Sequence, residues 1–280
     1  MSLIFYRLRP STRVLASIAG SAFFVHGPLN ARAESLTDPT PVSGWIVTVR
    51  ANAGYAANYD GSKSVSPYAL PGLGMRRPNT PVSFSAPDES PGFALYDNGF
   101  FKTGLTGRLR MPRSSAEYTE LRGIHDIDWT VEAGGFAEFW TFNKLRARVE
   151  LRRAFLGING DVADFYLDWV EQHGPWTISL GPRLTLADQP YMNKLFGVTP
   201  YEALVNGVVT PYDPSAGAKS VGVTGSVTYK WSEEWSTSIY GKYIHLVGAA
   251  AVSPIPTKLG SANQFTCGLS IAYSFNWSGF

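Results

Sequence analysis

Apolar and polar residues alternate one by one along most of the chain beyond its first forty or so positions. In 219–231 the odd positions are Val221, Val223, Gly225, Val227, Tyr229 and Trp231, and the even ones are Gly222, Thr224, Ser226, Thr228 and Lys230. In 176–187, Ile178, Leu180, Leu184 and Leu186 alternate with Thr177, Ser179, Arg183 and Thr185. In 126–141, Ile127, Trp129, Val131, Ala133, Ala137 and Phe139 alternate with Asp126, Asp128, Thr130, Glu132 and Glu138, with Phe136 an apolar exception on the polar side. In 144–151, Leu145, Ala147, Val149 and Leu151 alternate with Arg146, Arg148 and Glu150, and Arg152 continues the polar side. Successive side chains on a strand point to opposite faces, so each run predicts a strand with one apolar and one polar face.

Soluble sandwiches alternate too, but three features favour a membrane barrel. The runs, at about 11–16 residues, exceed the ~5–6 of an average strand and suit a tilted membrane strand, which needs ~9–11. Aromatic residues gather at strand ends, as Trp45 and Tyr55, Tyr229 and Trp231 beside Trp235, and Tyr273 and Phe275, the sequence form of an aromatic girdle. Connections also alternate between tight (142–143, 172–174, 232–234) and long (112–124, 188–218, 248–262), with 156–160 the short exception. Ten strands are clear: 44–56, 64–75, 99–111, 125–141, 144–157, 160–171, 174–187, 219–231, 235–248 and 262–275. Two short strands at 81–86 and 92–96 would make twelve and keep the even number that such barrels require. The predicted fold class is an all-β, transmembrane antiparallel up-and-down β-barrel of 12 strands, with 10 as the alternative, in the cell outer membrane.

Composition narrows the class further. Of 280 residues, 44% are hydrophobic, 14% aromatic and 16% charged, against about 25% charged in an average soluble protein. That excludes disorder. One cysteine excludes a disulfide framework. A spanning helix needs roughly 18 apolar residues, and the best apolar stretch, 14–25, is shorter. A net charge of +2 gives no sign of nucleic-acid binding. Residues 1–33 read as a Sec signal peptide: Arg7, Arg9 and Arg13 precede the apolar stretch 14–25, and Ala31-Arg32-Ala33 is an A-x-A cleavage site. Residues 34–280 are then the barrel domain, with 20 basic against 22 acidic residues.

The sequence offers no enzyme signature. G-x-S-x-G, H-E-x-x-H and C-x-x-C are absent, and His125, His173 and His245 lack metal-ligand spacing. No catalytic, cofactor or metal site is therefore assigned. His125 and Asp126, followed by Asp128, are the one constellation a hydrolase could use, and a water-exposed strand end explains them more simply. Cys267 falls on the apolar face of the last strand, where a small lipid-facing residue fits.

Charge on inward faces is the stronger signal. Pairing strands 125–141 and 144–157 with like faces together requires an even residue sum near 284 or 286. Glu138 then meets Arg146 or Arg148, Glu132 lies opposite or diagonal to Arg152, and across the next hairpin Arg152 reaches Asp164 and Arg148 reaches Asp168. Opposite charges on neighbouring strands attract. Glu132, Glu138, Arg146, Arg148, Arg152 and Asp164 are thus expected to form one lumen network. Such charges can line a small solute channel or fill a narrow bore; the filled bore is the simpler reading.

Several stretches together carry a family resemblance: Gly-Tyr-Ala-Ala-Asn-Tyr-Asp-Gly-Ser at 54–62, Leu-Arg-Gly-Ile-His-Asp-Ile-Asp at 121–128, Val-Glu-Ala-Gly-Gly-Phe-Ala-Glu at 131–138, and Ala-Arg-Val-Glu-Leu-Arg-Arg at 147–153. Leu-Gly-Pro-Arg-Leu-Thr-Leu-Ala-Asp at 180–188, Phe-Gly-Val-Thr-Pro at 196–200 and 263–275 continue it. The chain resembles the MipA/OmpV family, the MltA-interacting outer-membrane proteins. It departs from the family pattern in the Pro-rich 78–91 and in the tail after Phe275. The resemblance implies a scaffold that joins a lytic transglycosylase to a bifunctional murein polymerase, or a surface adhesin as in other members. Contacts to such partners would fall on the turns 143–144, 172–175 and 232–234, on 34–43, or on the tail 276–280. The final strand is similar to those of other outer-membrane barrels read by the barrel-insertion machinery: Gly268, Ile271, Tyr273 and Phe275 supply the signal, with the strand expected to end at Phe275.

Overall fold

The structure is a computed structural model and describes residues 23–25, 44–78 and 82–278. Most of the signal-peptide segment, the 34–43 segment and the last two residues lie outside the described residues.

Among the described residues the strands form one sheet. Its twelve strands are β1 (Phe23–Val25), β2 (Trp45–Ala57), β3 (Val65–Arg76), β4 (Gly92–Asp97), β5 (Phe101–Arg110), β6 (Thr130–Thr141), β7 (Leu145–Leu156), β8 (Gly160–His173), β9 (Trp176–Ala187), β10 (Gly217–Lys230), β11 (Trp235–Leu246) and β12 (Asn263–Trp277). The order β1-β3-β2-β12-β11-β10-β9-β8-β7-β6-β5-β4 is up-and-down, with β12 closing onto β2. Every junction is antiparallel except β1 on β3. The total is twelve, but its makeup differs from expectation. Residues 82–86 are not a strand, and β1 takes the extra place in the sheet. Pro87 and Pro91 bracket the acidic pair Asp88-Glu89, whose carboxylates find arginines inside the sheet's curve. Other boundaries also shift. Residues 125–129 leave β6 for a loop, and Ile127 pairs there with Arg113. β12 runs past Phe275, and Asn276 and Trp277 pair with Ile46 and Trp45.

The sheet is inside out relative to a soluble protein. Leu105, Leu151, Leu180, Ile239, Leu269 and Ile271 are exposed on its outer face, whereas Arg146, Glu132, Glu138 and Glu150 are buried on the inner one. Water on the outside would oppose that distribution, and hydrocarbon favours it. Aromatic clusters mark both rims of this band. Trp176–Tyr229, Tyr229–Trp231 and Trp235–Tyr273 lie with ring centres 4.5–4.7 Å apart at the end with short turns, and Tyr243–Phe265 lies at the other. Free Cys267 is exposed on the outer face.

Short turns close one end. Phe142 (φ 54°) and Asn143 (φ 55°), both left-handed, form the centre of a turn closed by Lys144 N on the Thr141 carbonyl, within a three-residue loop between the paired Thr141 and Leu145. The other end carries a cap built from the long connections. Helices α1 (Gln189–Phe196) and α2 (Pro200–Asn206) stand there, with the one-turn α3 (Gly248–Ala251). Asp188 caps α1 by accepting from Tyr191 N, and α2 begins with a reciprocal capping box between Thr199 and Glu202. Two apolar clusters hold the cap down. Tyr191, Met192, Leu195 and Phe196 pack on Ile158, Val162 and Leu246; Tyr59, Leu121, Ile124, Val198 and Ile255 form the second.

Candidate functional site: a charge-balanced interior

The register of β6 on β7 sums to 286. Glu138 therefore stands directly opposite Arg148, and Glu132 stands opposite Ala154 and diagonal to Arg152. On the next hairpin Arg146 faces Asp168 and Arg148 faces Tyr166, so Asp168 belongs to Arg146 rather than to Arg148. The same register sets Glu150 against Asp164. Two carboxylates opposite one another repel, and Arg152 resolves this by donating to both.

The contacts extend well beyond those six residues. Arg146 binds Glu138 at 2.7 Å and Asp168 at 3.0 Å, and also Glu89. Arg148 binds Glu138 at 3.1 Å and Glu150 at 2.9 Å, with Phe136 under its guanidinium at 3.9 Å. That stacking accounts for the apolar residue on β6's inner face. Arg152 binds Glu132 at 2.9 Å, together with Glu150 and Asp164. Arg108 adds to Asp164, Arg110 joins Glu132 to Asp60, and Lys219 meets Asp60. Arg183 links Asp168 to Asp88, Lys242 meets Asp88, and Lys102 joins Glu138 to Asp97. Among the described residues these ion pairs join nine cations and nine carboxylates in one unbroken web, and partly buried Arg50 lies in the field of the web's Glu89. The inward strand faces alone would not balance. They carry these nine cations, and Arg50 as well, but only Glu132, Glu138, Glu150, Asp164 and Asp168 in their interiors. Asp60, Asp88, Glu89 and Asp97 come from loops or a strand end. A burial of unpaired charge is very costly, so this excess of inward arginine and lysine is the signal that loop carboxylates must enter.

Asp88 and Glu89 cross the interior. Asp88 touches β9 through Arg183, β10 through Thr224 and β11 through Lys242, while Glu89 touches β7 through Arg146. From the cap, Tyr191 donates to Glu132 Oε1 at 2.7 Å, so the cap and the web are one hydrogen-bonded body.

His125 lies in the cap and not with a nucleophile. Its Nδ1 lies 2.8 Å from Glu202 Oε1 and its Nε2 lies 2.8 Å from the carbonyl of Lys194. Asp126 instead accepts from Ser115 N at 2.6 Å, and Asp128 offers its carbonyl to the Thr130 hydroxyl. The three do not converge. Beside them Arg113 is buried and donates to the carbonyls of Leu195 and His125; burial pulls its guanidinium down to about 10. Gly268, Ile271, Tyr273 and Phe275 lie along β12, the last three exposed on the outer face. Gly268 makes room for the Tyr68 and Tyr240 rings, which a Cβ there would meet at 2.4 and 2.5 Å.

Glu202 gives the cap an acid limit. Burial raises its carboxyl, but hydrogen bonds from the Thr199 backbone and side chain and from His125 outweigh it, and the group is held below the ordinary glutamate range. A depressed folded value means that its contribution is complete above the unfolded value near ~4.3 and is lost as acid takes the pH down through the folded one. Protection factors of the α2 amides, corrected for intrinsic exchange, are therefore expected to fall as the pH drops below about 4, and Glu202→Gln is expected to show that lower protection already at neutral pH.

Outward apolar strands, aromatic rims and an ion-paired interior define a membrane-spanning β-barrel, and this one resides in the outer membrane. The profile of the MltA-interacting protein MipA family matches residues 49–275; the chain belongs to that family. No curated protein matches its sequence. Among solved structures it is similar to an outer membrane channel from Pseudomonas putida, at 13% identity and TM-score 0.41, covering 86% of this chain and 100% of that one. It is also similar to the NanC porin, at 8% identity and TM-score 0.41 over 82% of this chain and 100% of that one. The outer membrane channel DcaP of Acinetobacter baumannii matches at 8% identity and TM-score 0.40, over 83% and 96%.

Proposed function

We propose that the protein is a non-enzymatic scaffold of the cell envelope, a sealed barrel whose work is done by its ends. The carrying observation is the ion-paired interior: nine cations and nine carboxylates are joined in one web, and Asp88 and Glu89 span the bore. The family's name points to MltA as a partner, and the resemblance adds a bifunctional murein polymerase. In this reading residues 1–33 are removed on export, the insertion machinery reads Gly268, Ile271, Tyr273 and Phe275, and the short turns face the periplasm.

One turn favours contact with a partner. Phe142 is 86% exposed and held at φ 54°, a backbone region that a bulky side chain rarely occupies. An exposed ring on a rigid hairpin is a low-entropy anchor for a small interface. Crosslinked affinity capture from solubilised envelopes tests this. Wild type is expected to retain murein enzymes, and Phe142→Ala with Lys144→Ala to retain at least several-fold less. Capture that survives every turn substitution but is abolished by changes at 191–200 in the cap would place the partner on the other end and overturn the reading.

A further inference from the structure

The sheet has a fault in its parity. Ten antiparallel junctions separate β3 from β4 around the order β3-β2-β12-β11-β10-β9-β8-β7-β6-β5-β4. An even number of reversals leaves β3 and β4 pointing the same way, so they cannot close on each other as antiparallel neighbours. One strand of opposite direction is missing between them. In the structure β1 sits there, pairing with β3 at Phe23↔Leu73, Phe24↔Gly74 and Val25↔Met75 and lying beside β4. It runs parallel to β3, which is the wrong direction, and it belongs to the segment read as a signal peptide. Its removal would leave two open edges inside the membrane, where unpaired backbone groups have no water to bind.

From the geometry we infer that, once the leader is gone, residues 82–86 leave the lumen and enter the wall as the strand between β3 and β4. This rests on the reading of 1–33 as a cleaved leader. Direction, length and polarity support it. The segment follows β3 in the chain and precedes β4, so it runs opposite to both when it lies between them. Its five positions match the short β4. Val82, Phe84 and Ala86 alternate with Ser83 and Ser85, the pattern of a strand between lipid and lumen. Ser83 already meets the inward Lys102, accepting from its Nζ at 2.8 Å, and Ser85 donates to Glu89 at 2.8 Å. Both contacts lie on the lumen side and persist if only the apolar side chains swing outward. Asp88 and Glu89, held by Arg183 and Arg146, are the pivot. In the present position Phe84 packs edge-on to Trp140, ring centres 6.3 Å apart, with its ring 5.5 Å from the Arg146 guanidinium. Val82 is 71% exposed and has little burial to lose.

Disulfide trapping distinguishes the two positions. In a Cys267→Ser background, Phe84→Cys is paired either with Met75→Cys or Leu73→Cys on the β3 edge, or with Trp140→Cys in the lumen. Each variant is made as normally processed protein and with Ala33→Leu to block cleavage. Intact mass reads whether the leader is present, and heat-modifiable mobility restricts the assay to folded barrels. The processed protein is expected to crosslink at the β3 edge in the majority of molecules, and the uncleaved protein at least several-fold less, with the lumen pair dominating. A cleaved barrel that crosslinks only to residue 140 overturns the inference while leaving the leader reading intact. An outer-membrane form that retains residues 23–25 overturns both. Amide exchange at Leu73–Met75 provides a check free of cysteine: continued protection in cleaved wild type is expected, and rapid exchange there contradicts a strand in the seam.

Discussion

Replacing Arg152 with alanine is expected to lower the stability of the barrel by about 3–5 kcal/mol, the range for breaking a buried ion pair and leaving the other charges behind. Three carboxylates, Glu132, Glu150 and Asp164, lose the guanidinium that joins them. Glu150 and Asp164 then face each other across the ladder with less to offset their repulsion. The neighbouring residue is the natural control. Arg153 points outward, its side chain 59% exposed against 0% for Arg152, and pairs with the equally outward Asp161. An exposed pair contributes about 0–1 kcal/mol, so Arg153→Ala is expected to change little. The temperature at which the compact band disappears in heat-modifiable gel mobility reads both. Adding Glu150→Gln to Arg152→Ala removes one stranded charge and is expected to recover part of the loss, since groups sharing a network do not act additively. Equal behaviour of the two arginine variants would mean that the inner web does not hold the barrel together.

Much of this architecture is written in the sequence with period two. Alternation located β2, β3 and β5–β12 to within a few residues, because a strand between lipid and polar lumen separates its faces sharply. The pairing of like faces across the tight turn near Phe142-Asn143 narrowed the β6–β7 register to an even sum, but only the structure distinguishes 286 from 284. The web beyond Glu132, Glu138, Arg146, Arg148, Arg152 and Asp164 was less legible. Asp60, Asp88 and Glu89 sit on loops, where no periodicity says which way a side chain points. Their one trace is the surplus of inward arginine and lysine on the strands. The cap helices had a local signature that the strand pattern overshadowed, with Thr199 three residues before Glu202 and Asp188 two before Pro190. His125 gave no hint of Glu202, because that pairing depends on how two distant connections stack. The break at 82–86 is a conflict between levels: its alternation favours a wall strand, while Asp88 and Glu89 draw the segment inward.

The second large effect concerns the bore. Among the described residues Asp88 is the one carboxylate within ion-pair distance of Lys242, and with Glu89 it also serves Arg183 and Arg146. Replacing both with alanine removes two negative charges and the bridge across the interior, leaving four anions' worth of loop and strand-end compensation reduced to Asp60 and Asp97. The lumen becomes more positive by two charges, and water is expected to enter where the bridge stood, since buried charges without partners demand hydration. An anion-selective leak should follow, because a ring of surplus positive charge concentrates anions. Wild type, with its charges paired and its bore spanned, should not leak.

Single-channel recording in planar bilayers measures this directly on the purified, correctly processed protein. Wild type is expected to be silent, and the Asp88→Ala, Glu89→Ala double variant is expected to show an anion-selective conductance. Stable, ion-selective steps from the wild type, with a selectivity that shifts on substitution of Arg183 or Lys242, would show an open lined pore and contradict a sealed scaffold.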